Sequence, residues 1–324
     1  MRRGQNGLMG PAGEFVQPFQ FPKVRALATL FAALALCVVA SQPASAKKKT
    51  GPAQIEVPEV PDGDIFGFSS PSGLGNAGDL AFANENDGRL QKRDGRFTAV
   101  DQKFELGYTI SPDWWIAGSV FAGPHHARNV TGLTDVSVFA FEGLSFEIAH
   151  RVISRNASNP FAVTLAVEPR WGRLDGATNL RSDYYNAAFK VFADSVLVPE
   201  RLFWAANVVW TPQRAQGVAD RSIWLTTSTT FASTALAVQF SPQLFVGAEA
   251  RHLASYDKGL MGDRLGYAAY VGPTLLWKIT DKIVFNATWQ PQVAGRSISN
   301  PELRLDLDNY ERTQFRAKLS VALN

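Results

Sequence analysis

The chain has 324 residues, of which 46% are hydrophobic and 11% aromatic, with a formal net charge of +3 and a mean hydropathy of −0.08. This composition excludes a disordered chain, which is poor in aromatic residues, and a bundle of membrane-spanning helices, which needs long apolar runs. The single cysteine excludes a disulfide framework and a metal site built from several thiolates.

The N-terminal part of the chain has the pattern of an export signal. An uncharged apolar run at 26–40, ALATLFAALALCVVA, follows basic residues and precedes the small residues Ala44 and Ala46. We predict a secretory signal peptide over 1–46 that is cleaved; the alternative is a retained membrane anchor. Of the 32 basic and 29 acidic residues, four and one respectively precede residue 47, so the mature chain carries equal numbers of each. The charge therefore does not support nucleic-acid binding.

The next stretch, 47–77, is rich in Lys, Pro, Gly and Ser. Several prolines in so short a span disfavour both a helix and a central strand. We predict an extended periplasmic lead-in to the remainder of the chain, 78–324.

From about residue 78 to the end, apolar and polar residues alternate. The alternation is clearest in the segments 103–110, 144–149, 163–171, 283–290 and 315–323. Side chains two residues apart lie on the same face of a strand, so each segment has one apolar and one polar face. We count about twelve such segments of about nine to thirteen residues, the length that a tilted strand needs to cross a bilayer.

The connections between these segments alternate in length. Short turns are predicted at 111–113, 155–160, 198–200, 241–243 and 280–282, and longer polar links near 85–96, 123–137, 172–183, 211–222, 253–265 and 294–309. This pattern, with both ends of the chain on the short-turn side, is typical of outer-membrane barrels. We predict an all-β fold: one antiparallel, up-and-down transmembrane β-barrel of about twelve strands over 78–324, with both termini periplasmic. A soluble periplasmic β-protein is the alternative.

Large aromatic residues mark the ends of many segments. They form the girdles expected at the two membrane interfaces: Trp171, Tyr185, Trp204, Trp210, Tyr267, Trp277 and Trp289. A soluble β-sandwich would have no reason to end its strands in this way, so the girdles favour the membrane barrel.

The chain resembles the bacterial outer-membrane β-barrels, in particular uncharacterised proteobacterial barrels of about twelve strands. The resemblance is one of pattern and is carried by segments such as 161–176, 245–257 and 289–297. It implies a location in the outer membrane, contact with outer-membrane lipid, and insertion by the outer-membrane assembly machinery. One departure is the C-terminus, Leu323-Asn324, where many such barrels end in an aromatic residue that this machinery reads.

If the apolar positions face lipid, the alternate positions face the lumen. Counted from the short turns, a belt of charged residues lies near mid-height: Lys103, Glu105, Glu147, Glu168, Arg170, Lys190, Glu249, Arg251, Arg316 and Lys318. Glu147 and Glu168 flank one turn at equal distance and are expected to be neighbours. The belt is interpreted as a pore constriction for small polar or charged solutes; the alternative is a closed structural or adhesive barrel whose charges pair and fill the interior.

Other functions receive less support from the sequence. A lipid hydrolase with a Ser228–His252 dyad on the outer wall is one hypothesis, but no residue that would orient the imidazole is evident, so no enzyme activity is predicted. The adjacent pair His125-His126, assigned to an external loop, points in two directions and is weak support for a metal site. We predict no cofactor and no metal. The oligomeric state stays open, although the polar outer face of 223–239 is a candidate subunit contact.

Overall fold

The protein forms a closed barrel of twelve antiparallel strands. The computed structural model describes residues 60, 65–156, 158–176, 178 and 180–324, which all belong to one compact unit, Ile55–Asn324. The strands are β1 (Leu80–Leu90), β2 (Arg96–Ser111), β3 (Trp114–Arg128), β4 (Val136–Ile153), β5 (Phe161–Leu174), β6 (Arg181–Val198), β7 (Leu202–Gln216), β8 (Trp224–Ser241), β9 (Leu244–Tyr256), β10 (Arg264–Lys278), β11 (Ile283–Ser297) and β12 (Thr313–Ala322). The predicted signal peptide lies outside the described residues.

Each strand pairs with its neighbours in sequence, and β1 pairs with β12 to close the barrel. Closure removes the unpaired strand edges, so the ladder satisfies backbone groups around the whole wall. The all-β, up-and-down antiparallel fold and the strand number are therefore confirmed. Within the described residues, there is no helix long and apolar enough to span a membrane.

The apolar face of each strand lies on the outside, as predicted. Leu106, Phe146, Leu165, Val208 and Trp289 are all about half exposed on the outer wall. Large apolar side chains are left exposed in this way when lipid, and not water, is the surrounding medium.

The strands are longer than predicted, 10 to 18 residues, and most of the links are shorter. The first link was predicted at 85–96 but covers only 91–95, because residues 85–90 belong to β1. The second was predicted at 123–137 but covers only 129–135. Polar residues beyond the apolar band still pair in the ladder, so polarity alone does not mark where a strand ends. The connection 298–312 is a true long loop.

The two ends of the barrel differ in their connections. Both the start of β1 and the end of β12 lie at the end formed by the connections 112–113, 154–160, 199–201, 242–243 and 279–282, which we call the near end. There the Leu80 N–H donates to the side chain of Asn324 at 2.9 Å. The end that carries 298–312 is called the far end. The prediction that the near end is periplasmic stays a prediction.

The part of the predicted lead-in that the structure describes runs inside the barrel. We call residues 65–75 the inner segment. Phe66 and Ser69 form a bridge across a tight turn whose Gly67 has φ of +91°, a conformation that glycine adopts without strain. The segment starts against β7–β10, reaches its tip at Phe68, and returns along β7, β6 and β5 toward β2. Its Pro- and Ser-rich composition argued against regular structure but carried no information about this location.

Candidate functional site: the lumen and its inner segment

The inner segment is held by polar side chains that point inward from six strands, β2 and β5 to β9. Ser69 donates to Glu249 of β9 through its N–H at 2.6 Å and its hydroxyl at 2.5 Å. Further along, the N–H of Ser70 donates to the side-chain oxygen of Asn207 at 2.7 Å. The segment is thus bound around the lumen wall by specific hydrogen bonds, which direct it along one path.

The returning arm, which is the C-terminal part of the inner segment, is held by further hydrogen bonds to the barrel wall. Ser72 donates to the carboxylate of Asp194 through its N–H at 2.6 Å, and Arg155 of the near-end connection 154–160 makes an ion pair with the same carboxylate. The hydroxyls of Thr164 and Thr109 donate to the backbone oxygens of Ser72 and Leu74, at 2.7 and 2.5 Å.

An apolar core fixes the start of the inner segment. Ile65 and Phe66 are fully buried against inward-facing Phe203, Phe245 and Leu276. Sequence analysis missed this cluster because it assumed a polar lumen throughout. The signal was present: the starts of β7 and β9 and the end of β8 are apolar on both faces, and a strand that is apolar on both faces is buried on both.

Five of the predicted lumen residues meet in one cluster, which we call the lysine cluster: Lys103, Glu105, Glu147, Glu168 and Lys190. Lys190 Nζ lies 2.7 Å from Glu147 Oε2 and 2.5 Å from Glu168 Oε2, so it joins the two carboxylates that were predicted to be neighbours. Lys103 Nζ lies 2.5 Å from Glu105 and 3.7 Å from Glu168. With two lysines and three glutamates, the cluster has a formal charge of −1.

Arg316 and Lys318 lie on β12 in a second group, with partners that sequence analysis missed. The guanidinium of Arg316 contacts both oxygens of Asp87 at 2.7 Å and Glu85 at 3.0 Å, and Lys318 lies 3.8 Å from Glu85. Glu85 and Asp87 were assigned to a link. Their alternation with Asn84 and Asn86 gave no apolar face, so the strand went unrecognised there.

The other three predicted residues lie apart from both groups. Arg170 packs over the ring of Phe121, 3.6 Å from its centroid, and is 3.7 Å from Glu142. Glu249 and Arg251 of β9 contact the inner segment. All ten predicted residues are brought to the interior, but they form separate groups and not one continuous ring.

A cavity of about 830 Å³ occupies the lumen beside the inner segment. At the near end it is bordered by Asp79, Asp281 and Asn324, and at mid-height by both charged groups and by Phe68. Its lining ends toward the far end at the level of Arg89 and Arg170. The lumen therefore holds a deep space that is lined by both charged and apolar side chains and is bordered at the near end and at mid-height.

The loop 298–312 folds inward and covers part of the far end. Gln292 of β11 binds it through the N–H of Asp306 at 2.7 Å, and the hydroxyl of Tyr270 donates to the backbone oxygen of Glu311 at 2.6 Å. The side chain of Glu311 lies 3.1 Å from Lys92 and 3.5 Å from Arg89. This charge contact fastens the loop to the connection 91–95 and to β1.

The loop contact is expected to weaken in acid. Burial tends to raise the pKa of Glu311, but the cations of Lys92 and Arg89 outweigh it, so this pKa lies below the usual range for glutamate. A carboxyl with a lowered pKa stabilises the fold at higher pH, and that contribution is lost as the pH falls through the folded-state pKa. The protection of the loop amides against hydrogen exchange, corrected for the intrinsic exchange rate at each pH, should therefore fall in acid, about tenfold once Glu311 is protonated.

Glu311→Gln should cause the same loss of protection at neutral pH. The matched control is Glu302→Gln, an exposed position in the same loop, which should exchange like the parent protein. Equal protection in all three proteins at neutral pH would show that backbone contacts alone hold the loop.

Three potential metal ligands meet above the cavity. The ligand atoms of Asp101, His125 and Glu142 all lie within 4.8 Å of one another, with His125 Nε2 3.2 Å from Glu142. These residues could hold a metal ion, but Arg89 pairs with Asp101 at 2.9 Å and supplies the positive charge that a metal would bring. The assignment of His125-His126 to an external loop was wrong, since both lie in β3. They do point in opposite directions: His125 is buried and His126 exposed.

The hypothetical hydrolase dyad does not form. Ser228 pairs with Tyr256 in the β8–β9 ladder, whereas His252 pairs with Ala232, so the two residues are four positions apart along the strand, about 13 Å. The Ser228 hydroxyl donates to the backbone oxygen of Lys258 at 2.7 Å. That register excludes this pair as a nucleophile and base.

A closed antiparallel barrel with an apolar outer wall and a charged lumen defines the class of bacterial outer-membrane β-barrel proteins. The chain belongs to the DUF6662 family, described as a family of unknown function, whose model matches residues 58–324. No curated protein matches the chain.

Solved structures of this class are similar in fold. The COG4313 outer membrane channel from Pseudomonas putida F1 is 13% identical, with a TM-score of 0.56 over 82% of this chain and 100% of that one. The KdgM porin in complex with oligogalacturonate is 10% identical, with a TM-score of 0.40 over 76% and 99% of the two chains. The translocator domain of the autotransporter NalP from Neisseria meningitidis is 10% identical, with a TM-score of 0.43 over 76% and 88%. At 13% identity, the likeness to the COG4313 channel concerns the fold alone.

Proposed function

We propose that this protein is an outer-membrane channel for the passive or weakly selective passage of small polar or charged solutes, and that the lysine cluster and the Arg316 group form its constriction. The observation that carries the proposal is the cavity of about 830 Å³ that both groups border inside a closed barrel. A twelve-stranded barrel lies between the small barrels that side chains fill and the large ones that hold open channels. A narrow, charge-lined path is the expected intermediate.

The charges support polar solutes as cargo. Carboxylates and ammonium groups from opposite parts of the wall face one space, and such an arrangement replaces part of the hydration shell of a polar solute while it disfavours an apolar one. The lysine cluster carries a formal charge of −1 and the Arg316 group, with two cations and two carboxylates, is neutral. The constriction should therefore favour cations weakly.

Single-channel recording of the refolded mature protein in a planar bilayer tests the proposal. Discrete current steps with a weak preference for cations are expected. Glu168→Gln neutralises the excess charge of the lysine cluster, so it should move the reversal potential in a salt gradient toward anion permeation. Lys190→Gln should move it the other way, because it leaves a larger negative excess.

Glu200→Gln is the matched control, since this glutamate is exposed in a near-end connection far from the cluster. It should leave the reversal potential unchanged. An inserted barrel that carries no current would contradict passage and favour the alternative, a closed barrel whose paired charges serve as interior packing. Current whose ion selectivity is the same in the parent protein, Glu168→Gln and Lys190→Gln would place the constriction elsewhere.

A further inference from the structure

Strand β9 carries two buried charges of opposite sign that do not have charged partners. Glu249 and Arg251 are 2% and 4% exposed, and both face inward, two residues apart. Among the described residues, neither of them makes an ion pair within 4.0 Å. Burying a charge costs free energy unless hydrogen bonds or an opposite charge compensate it. These two residues must therefore be compensated by neutral groups.

Two glutamine side chains provide part of that compensation. Gln290 accepts from Arg251 Nε at 2.6 Å and donates to Glu249 Oε2 at 2.6 Å, so one amide links the two charges. Gln314 accepts from a second nitrogen of Arg251 at 2.9 Å. A guanidinium has five N–H groups and a flat face, so further binding capacity remains on Arg251.

The inner segment provides the remaining contacts that compensate the buried charges of Glu249 and Arg251. The N–H groups of Phe68 and Ser69 and the Ser69 hydroxyl all donate to Glu249, at 2.9, 2.6 and 2.5 Å. The guanidinium of Arg251 lies 3.4 Å from the centroid of the Phe68 ring, and that of Arg316 lies 4.5 Å from the same centroid. Phe68 thus places its N–H on a carboxylate and its aromatic ring against two guanidinium groups.

We propose that Glu249, Arg251 and Arg316 form a binding site for a small zwitterion with an aromatic side chain, the class of free aromatic amino acids, and that the inner segment masks this site by occupying it. The inference deepens the proposed function, on which it rests, by naming a solute class. The ammonium group of the solute pairs with Glu249, its carboxylate with Arg251, and its ring takes the place of the Phe68 ring.

The charge balance of the site selects a zwitterion. Once Phe68 and Ser69 depart, a simple anion would leave the buried Glu249 with the amide of Gln290 but no cation, and a simple amine would leave Arg251 without a carboxylate. The distance also suits an amino acid, because the single amide of Gln290 already spans the gap with one donor and one acceptor. Stacking of an aromatic ring on a guanidinium adds affinity when the ring excludes water.

The inner segment must move before the solute can bind. Arg251 and Phe68 border the cavity, whereas Glu249 does not, because Phe68 and Ser69 lie over it. A Cβ at Gly67 would lie 2.9 Å from both Glu249 Oε2 and Thr274 Cγ2, so Gly67→Val should expel the tip of the segment from the wall. Phe68→Ala combined with Ser69→Ala removes the ring and the hydroxyl and unmasks the site by a second route.

Isothermal titration calorimetry of the refolded full mature chain with L-phenylalanine tests the proposal. Both unmasked variants should bind at least about tenfold more tightly than the parent protein, in which the segment competes. Three analogues lack one group each: L-alanine the ring, 3-phenylpropanoate the ammonium, and 2-phenylethylamine the carboxylate. Each should bind about tenfold or more weakly, and Glu249→Gln in the Gly67→Val protein should cause a similar loss.

Each outcome separates this inference from the proposed function. If neither unmasked variant binds L-phenylalanine, or if the analogues bind equally well, the site is overturned, even where the same proteins conduct ions. If L-phenylalanine binds as expected but no current passes, the site stands and passage fails.

Discussion

Gly67→Val should raise the single-channel conductance several-fold, since it removes the tip of the inner segment from the level of the proposed constriction. Gly67 has a φ of +91°, which disfavours any residue with a β-carbon, and a Cβ there would lie 2.9 Å from Glu249 Oε2 and Thr274 Cγ2 and 3.1 Å from Thr288. These atoms belong to the barrel wall, which the strand ladder holds in place. The tip of the segment must therefore give way, and Phe68 leaves the cavity with it.

Gly73→Val is the matched control for this prediction. Gly73 lies in the same segment, has no atom within 4 Å of the position a Cβ would take, and does not require a positive φ. This variant should conduct like the parent protein or slightly less, since its new side chain points into open space. Equal conductance of the two variants would show that the inner segment does not limit the current.

Lys190→Met should destabilise the barrel by about 3 kcal/mol, the largest loss expected from one lumen substitution. Lys190 bridges Glu147 and Glu168 at 2.7 and 2.5 Å, and all three side chains are at most 15% exposed. Without the ammonium group, two carboxylates face each other on adjacent strands in a poorly solvated place. This loss of unfolding free energy lies at the lower end of the range for breaking a buried ion pair, because the lysine cluster borders a cavity that water can enter.

Urea unfolding of the refolded barrel, followed by tryptophan fluorescence, measures this loss. A triple variant, Glu147→Gln, Glu168→Gln and Lys190→Met, removes the unpaired charges together with their partner. It should recover most of the stability, because neutral amides do not repel each other. If the single and the triple variant lose the same free energy, the packing of the lysine chain, and not its charge, accounts for the effect.

The local alternation of the sequence was sufficient to predict the barrel and the inward direction of ten charged residues. The alternation of side chains between two faces is a property of a single strand. Lys103 and Glu105 could therefore be assigned to the lumen without knowing which strands pair with theirs. Strand ends were predicted less well. The first strand was predicted to end before residue 85, because Glu85, Asp87 and Arg89 are residue types common in loops. In the structure these residues pair with β12.

The pairing of the charges could be predicted only within a hairpin. Glu147 and Glu168 were expected to be neighbours because both are counted from one connection, and Lys190 does join them. The partners of Arg316 could not be found in this way. Asp87 lies 229 residues away in sequence, and the two meet only because β12 closes the barrel on β1.

The sequence by itself determined the fold class, the order of the strands and which faces meet lipid and lumen, because each of these depends on residues within one strand or one hairpin. Tertiary structure alone decided what the lumen contains. The contact between Phe68 and Glu249 spans 181 residues, and that between Ser72 and Asp194 spans 122. Such contacts depend on the closure of the barrel and on the stagger of its strands, and no local pattern records either. For the same reason, the sequence did not show that the Pro- and Ser-rich segment, predicted as a lead-in, lies inside the barrel and occupies the candidate site.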